Sequence, residues 1–98
     1  MTEPIWKEEP RGGLFDPALF GLTGIEQLRL FFSGHIEQPP IGQLTGMALT
    51  VVGVGSASFT MPITDWVRAP QGTIPCGLVA VLADGPIGCA IQTTLPPA

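Results

Sequence analysis

One stretch constrains this chain more than any other: "PCGLVAVLADGPIGCAIQ", residues 75–92, which is almost wholly apolar and contains a single carboxylate, Asp84. From Ala69 to the C-terminus, Asp84 is the only residue of type Asp, Glu, Lys, Arg or His. Two structures suit such a segment. Asp84-Gly85 is the kind of dipeptide that favours the turn of a two-residue β-hairpin, with apolar arms on either side. The alternative is a buried helix on which Asp84 is a functional acid.

Pro86 counts against both structures. In a hairpin it removes a hydrogen-bond donor from the start of the second arm, and in a helix interior it costs about 3 kcal/mol. The helix has one distinctive consequence, because helical spacing places Gly77, Ala80, Asp84 and Gly88 on one face. This row of small residues around an acid would allow a ligand or another backbone to come close. The residues alone leave the choice between helix and hairpin open.

The composition indicates one small domain that associates with another chain. The 98 residues are 45% hydrophobic and 12% charged, which is the reverse of the balance in disordered chains. So few charges cannot cover the surface, and we expect an apolar interface, most simply a homo-oligomer. A net charge of −4 with only four cationic residues argues against partners such as nucleic acid or an anionic membrane surface.

Several targeting and chemical signals are missing from the sequence. The N-terminus "MTEPIWKEEP" lacks the basic start and apolar run of a signal peptide. Asp84 and two prolines interrupt the apolar segment, which argues against a membrane-spanning helix. Cys76 and Cys89 have no CxxC spacing and are predicted to be reduced thiols of a cytoplasmic protein. The only histidine, His35, has no Cys or Asp at a metal-binding or catalytic spacing, so we expect no metal.

The rest of the chain predicts a lead-in, a helix and a hairpin. Residues 1–15 are polar and form the lead-in, and residues 16–98 form the domain. Asp16, with Pro17 directly behind it, is a candidate N-cap, and a second helical piece follows with apolar positions Ile25, Leu28, Phe31 and Phe32. Pro39-Pro40 predicts a connector that is neither helix nor strand. "LTGMALTVVGVG" and "SASFTMPIT" predict an antiparallel hairpin that buries the side chains of Ala57, Phe59, Met61 and Ile63.

The segment from Trp66 to Ala90 carries a family pattern. Its matching positions are Gly72-Thr73-Ile74, Gly77, Leu82, Asp84, Gly88 and Ala90. On these residues the chain, over residues 20–98, resembles the hotdog-fold acyl-CoA thioesterases of the phenylacetate-pathway type. The resemblance implies an α+β hotdog fold, in which a curved antiparallel sheet wraps a long central helix. It therefore favours the helix over the hairpin for residues 76–92, with Pro86 as a kink.

The resemblance also implies a site and a reaction. The backbone N–H of Cys76, with Gly77, would polarise the carbonyl of a CoA thioester at the helix N-terminus. Asp84 would be the general base on water or the nucleophile. Arg68, Gly72 and Thr73 lie on the loop before the helix and would bind the acyl-CoA substrate. CoA is part of that substrate, so no separate cofactor is expected, and the site would be completed across a dimer or a tandem pair of domains.

Three residues depart from the family pattern: Pro75 stands at its histidine, Cys76 at its first glycine and Ala69 at its asparagine. A non-catalytic hotdog module that binds an acyl group or mediates dimerisation therefore remains the alternative. A hotdog domain also needs about three more strands after the helix. We expect another segment or another chain to supply them, since an open sheet edge is otherwise left unpaired.

Overall fold

The computed structural model describes residues 3–13 and 16–97 and has an α+β architecture, which confirms the predicted class. Residue 15, where the predicted lead-in ends, lies outside the described residues. The helices are α1 (Gly24–Phe32), α2 (Pro40–Thr45) and α3 (Cys76–Gln92), and the strands are β1 (Ala48–Gly53) and β2 (Ser56–Thr60). Short 3₁₀-helices cover Ile5–Lys7, Pro17–Gly21 and Asp65–Val67.

The first long helix begins at a capping box. The Thr23 hydroxyl accepts a hydrogen bond from the Glu26 backbone N–H at 3.3 Å, and the Thr23 N–H donates to the Glu26 carboxylate at 3.2 Å. These reciprocal bonds satisfy two of the amides that a helix start leaves free. The predicted cap at Asp16 is confirmed: its carboxylate accepts from the Ala18 N–H at 3.0 Å and caps the preceding 3₁₀-helix, Pro17–Gly21.

The predicted hairpin is present, and a bulge sets its inward-facing residues. Leu49 pairs with Phe59, but Val51 pairs with Ser58, so Thr50 is an extra residue in β1. A bulge shifts the alternation of side chains by one position. Leu49 and Phe59 are half-buried as a result, whereas Val51 is 56% exposed.

Two expectations for this part of the chain are wrong. Ile63, predicted to be buried, lies beyond the end of β2 and is 55% exposed. Pro39-Pro40 does not exclude a helix, because α2 begins at Pro40 with Pro39 as its N-cap. A proline is tolerated in the first helical position, where its missing N–H would have no partner within the helix.

Helix α3 lies on the hairpin and contacts β2 most extensively. The helix approaches β2 closely at Gly85, where an added Cβ would lie 3.1 Å from the ring of Phe59. After the helix, buried Thr93 accepts a hydrogen bond from the N–H of Gly55, in the hairpin turn, at 2.7 Å. α3 is thus attached to the hairpin along its length and at its end.

The core is small. Of the hydrophobic residues in the described ranges, only Leu28 and Met47 are buried, at 4% and 9% exposure. Large apolar side chains on α3 are open to solvent, including Val79 at 56% and Ile87 at 62%. Within residues 3–13 and 16–97, no helix combines the length and the apolar character needed to cross a membrane.

Candidate functional site

The segment that could have been a hairpin is a helix. α3 runs without interruption from Cys76 to Gln92, with Pro75 as its N-cap and Pro86 in its interior. Proline has no N–H, so the Leu82 carbonyl one turn earlier receives no helical hydrogen bond from residue 86. Asp84 is therefore in mid-helix, about 12 Å along the axis from Cys76 at ~1.5 Å per residue.

The faces of α3 differ in their surroundings. Leu82, Gly85 and Cys89 are on the side that faces the hairpin and are half-buried. The predicted row of small residues around Asp84 is on another side, and all of its members are exposed: Gly77, Ala80, Asp84 and Gly88. A Cβ added to Gly77 or Gly88 would meet nothing within 4 Å. We call these four residues the open face of α3.

Asp84 presents its carboxylate on this open face without a protein partner. Among residues 3–13 and 16–97, no hydrogen bond or ion pair involves its side chain. Arg68, the charged residue that precedes Asp84 in the sequence, pairs with Asp65 at 3.1 Å. The Asp84 carboxylate is thus available to accept a proton from a bound water or to attack an electrophile.

The N-terminus of α3 offers free amide groups. Leu78 N–H donates to the Pro75 carbonyl at 3.0 Å, whereas within the described ranges the N–H groups of Cys76 and Gly77 have no acceptor. Both residues are exposed. Free amides at a helix start, together with the helix dipole, suit an oxygen that gains negative charge. Free N–H groups are therefore present at the two residues predicted to be oxyanion donors, about two turns from Asp84, and their catalytic role stays a prediction.

The loop before α3 is held by Arg68. Its Nη1 donates to the Gly72 carbonyl at 2.7 Å and its Nε donates to the Asp65 carboxylate at 3.1 Å. Gly72 has a φ of 84°, a conformation that other residues adopt rarely. Thr73 is exposed, and its carbonyl accepts from the Ala69 N–H at 2.8 Å. Arg68 thus has a structural role in this loop, and substrate binding by Arg68, Gly72 and Thr73 stays a prediction.

The cysteines are free thiols, as predicted. Cys76 is exposed, and burial raises the pKa of the half-buried Cys89 thiol above its ordinary value of 9.0. A neutral thiol is a poor nucleophile. In the described part of the chain, no group of three or more His, Cys, Asp or Glu residues is placed to hold a metal ion.

One polar cluster was not predicted from the sequence. Buried Gln27 of α1 donates through Nε2 to the carbonyls of Leu19 and Leu22, at 2.9 and 3.2 Å. Its Oε1 accepts from Gln92 Nε2 at 2.9 Å. These glutamines are 65 residues apart in the chain, and no spacing pattern could have linked them.

Comparison with protein-family models, with curated proteins and with solved structures finds no match of this chain in any of the three.

Proposed function

We propose that this α+β chain belongs to a hotdog domain and hydrolyses an acyl-CoA thioester. The observation that carries the proposal is the open face of α3. It brings Asp84 to the surface of a long helix whose N-terminal amides are also free, and on this face only Ala80 lies between Gly77 and Asp84. A substrate or a second subunit can therefore lie directly along the helix.

In the proposed reaction, water attacks the carbonyl carbon of the thioester and Asp84 takes up the proton of that water. The electron pair of the C=O bond moves to the oxygen, where the Cys76 N–H, assisted by the amide of Gly77, stabilises the negative charge. The C–S bond then breaks, and the CoA thiolate leaves and receives the proton. In the variant of this mechanism with a nucleophilic Asp84, the carboxylate attacks first and water cleaves the resulting anhydride.

Because the N–H of Cys76 and the carboxylate of Asp84 are far apart on one helix, the proposed site needs two copies of the domain. One thioester carbonyl cannot contact an amide and a carboxylate about 12 Å apart on the same helix. We therefore place the helix N-terminus of one domain against Asp84 of a second one, in a homodimer or a tandem pair. The loop of Arg68, Gly72 and Thr73 borders the helix start and would contact the CoA part of the substrate.

The surroundings of α3 agree with association. Its exposed residues include Ile87 and Ile91, at 62% and 61% exposure, and contact with a second domain would remove them from water. The two thiols lie thirteen residues apart on one helix, too far for a disulfide between them. Unpaired thiols suit a cytoplasmic protein, which is the location we propose.

The test is hydrolysis of a panel of acyl-CoA esters by the full chain and by Asp84→Asn. Loss of a general base typically lowers the rate 10²–10⁴-fold, and we expect a fall in kcat of that order. Glu37→Gln is the matched control, because Glu37 is an exposed carboxylate in the connector before α2, remote in sequence from α3. Full activity of Asp84→Asn would show that Asp84 is neither the general base nor the nucleophile.

A non-catalytic hotdog module that binds an acyl group or mediates dimerisation is the second candidate. The specific observation in its favour is the apolar character of the exposed side of α3, where Ile87 and Ile91 lie near Asp84 in helical projection. This candidate predicts no hydrolysis of any ester by the wild type, together with acyl-CoA binding or a dimer whose stability falls in Ile87→Ser.

A further inference from the structure

A cleft of about 200 Å³ lies where α1, α2, the hairpin and α3 meet. Residues from each of these elements line it, among them Leu28, Ile41, Leu49, Phe59, Cys89 and Gln92. The cleft is partly open to solvent, since Ile41 on its wall is 46% exposed, and most of its lining residues are apolar.

The size of the cleft limits what it can hold. Pockets for drug-sized ligands are about 300–1,000 Å³, so this one suits a smaller molecule. An engineered apolar cavity of about 150 Å³ takes up benzene. A single six-membered ring or an alkyl chain of similar volume is therefore the appropriate size.

The lining determines the chemistry of the ligand. No Asp, Glu, Lys, Arg or His is among the described residues that line the cleft, and burial raises the pKa of the Cys89 thiol, which stays neutral. A charged ligand would lose its hydration without finding a counter-ion. The occupant must be neutral over the part that enters.

Two polar side chains on the wall have groups that are free to bind a ligand: Gln38, whose amide makes no hydrogen bond within the described residues, and Gln92. The Gln92 Nε2 donates to Gln27 Oε1 at 2.9 Å, and both hydrogens of Gln27 Nε2 are used by backbone carbonyls. The Gln92 Oε1 has no donor in the part of the chain that the structure describes. The bond to Gln27, which is itself bonded to two backbone carbonyls, positions the Gln92 amide, so this oxygen is an acceptor for a ligand hydroxyl.

We propose that this cleft binds a small neutral molecule that consists of one ring or a short alkyl chain and carries one hydrogen-bond donor. Binding is separate from the proposed hydrolysis, because Asp84 belongs to the open face of α3 and does not line the cleft. Failure of one proposal therefore leaves the other standing.

Phenol and toluene are matched probes, since they have the same size and only phenol has a hydroxyl. In a Cys76→Ser background Cys89 is the sole thiol, and its rate of reaction with methyl methanethiosulfonate reports occupancy. We expect phenol at ten times its Kd to slow this reaction roughly tenfold. Toluene lacks one hydrogen bond and should bind about 3–10-fold more weakly. Chemical-shift changes in the amides of Leu28 and Leu49 would locate the ligand.

Leu49→Phe fills the cleft and should abolish protection. Its control is Val51→Phe in the same strand, because Val51 is 56% exposed and does not line the cleft. Leu28→Phe is a second filling variant if Leu49→Phe fails to fold. Protection by phenol that survives in the filled variants would overturn the proposal. So would the absence of both protection and shift changes in the Cys76→Ser protein, because the cleft would then not admit even a single ring.

Discussion

Gly24 is the residue at which α1 meets the end of α3. Replacing it with alanine tests the close contact between Gly24 and the backbone of Gln92. Gly24 is buried, and its N–H donates to the Leu95 carbonyl at 3.0 Å. An added Cβ would overlap the carbonyl oxygen of Gln92 and lie 2.7 Å from its carbonyl carbon. Since both neighbouring groups are backbone, no side-chain rotation can relieve the overlap.

The expected magnitude follows from two opposing effects. Overpacking that requires backbone movement typically costs 1–3 kcal/mol. Alanine gains up to about 1 kcal/mol over glycine in a helix, but less at the first helical position. We expect Gly24→Ala to lower the free energy of unfolding by about 1–2 kcal/mol. For a chain of this size, that corresponds to a fall in Tm of roughly 5–15 °C.

The measurement is urea unfolding followed by circular dichroism, with Gly88→Ala as the control. Gly88 is also helical, but a Cβ there would meet nothing within 4 Å. Its replacement should therefore keep or raise stability by up to about 1 kcal/mol. Equal stability of Gly24→Ala and Gly88→Ala, with unchanged m-values, would refute the close contact between α1 and α3.

Two other predictions concern helix starts. Cys76→Pro removes the backbone N–H of Cys76 at a helix position where proline is tolerated, and loss of one oxyanion donor typically lowers kcat 10²–10³-fold. The control, Cys76→Ser, keeps the N–H and should retain activity. Equal rates of the two variants in the acyl-CoA assay would exclude the Cys76 N–H as an oxyanion donor. Thr23→Ala should raise the pKa of Glu26 towards its ordinary value of 4.5, because hydrogen bonds from Thr23, the hydroxyl first and the N–H second, lower that pKa in the folded protein. A lowered folded pKa stabilises the protein above the unfolded pKa, so the stability difference between the two proteins should shrink as the pH falls below about 4.5. An NMR titration in which the Glu26 pKa is the same in both proteins would contradict the capping bond.

The sequence predicted those elements for which local signals are strong. The alternation around Phe59 predicted β2, and the apolar spacing of Ile25 and Leu28 predicted α1. The start of α2 was not predicted, because a Pro-Pro pair excludes the interior of a helix. Pro40, however, is at the first helical position, which proline favours. The cap at Thr23 was also missed, although Thr23-x-x-Glu26 is the signature of a capping box.

Of the candidate site, the helix through Asp84 agrees with prediction. The expectation that this helix is buried is wrong, because none of its residues is buried and Asp84 is exposed. The binding of Arg68 to the Gly72 carbonyl was not predicted, since it depends on the conformation of the loop. The Gln27–Gln92 bond and the cleft beside it were not predicted either. They arise from elements far apart in the chain, and local patterns carry no information on such contacts.

By itself the sequence determined that residues 75–92 form an apolar element with one acid, and family resemblance favoured the helix over the hairpin. Only the tertiary structure decided which side of that helix lies on the hairpin. The physical reason is that α3 is apolar around its whole circumference, so its periodicity selects no buried face. Packing selects it instead: Gly85 allows the ring of Phe59 to come close, and this contact leaves Asp84 on the open face.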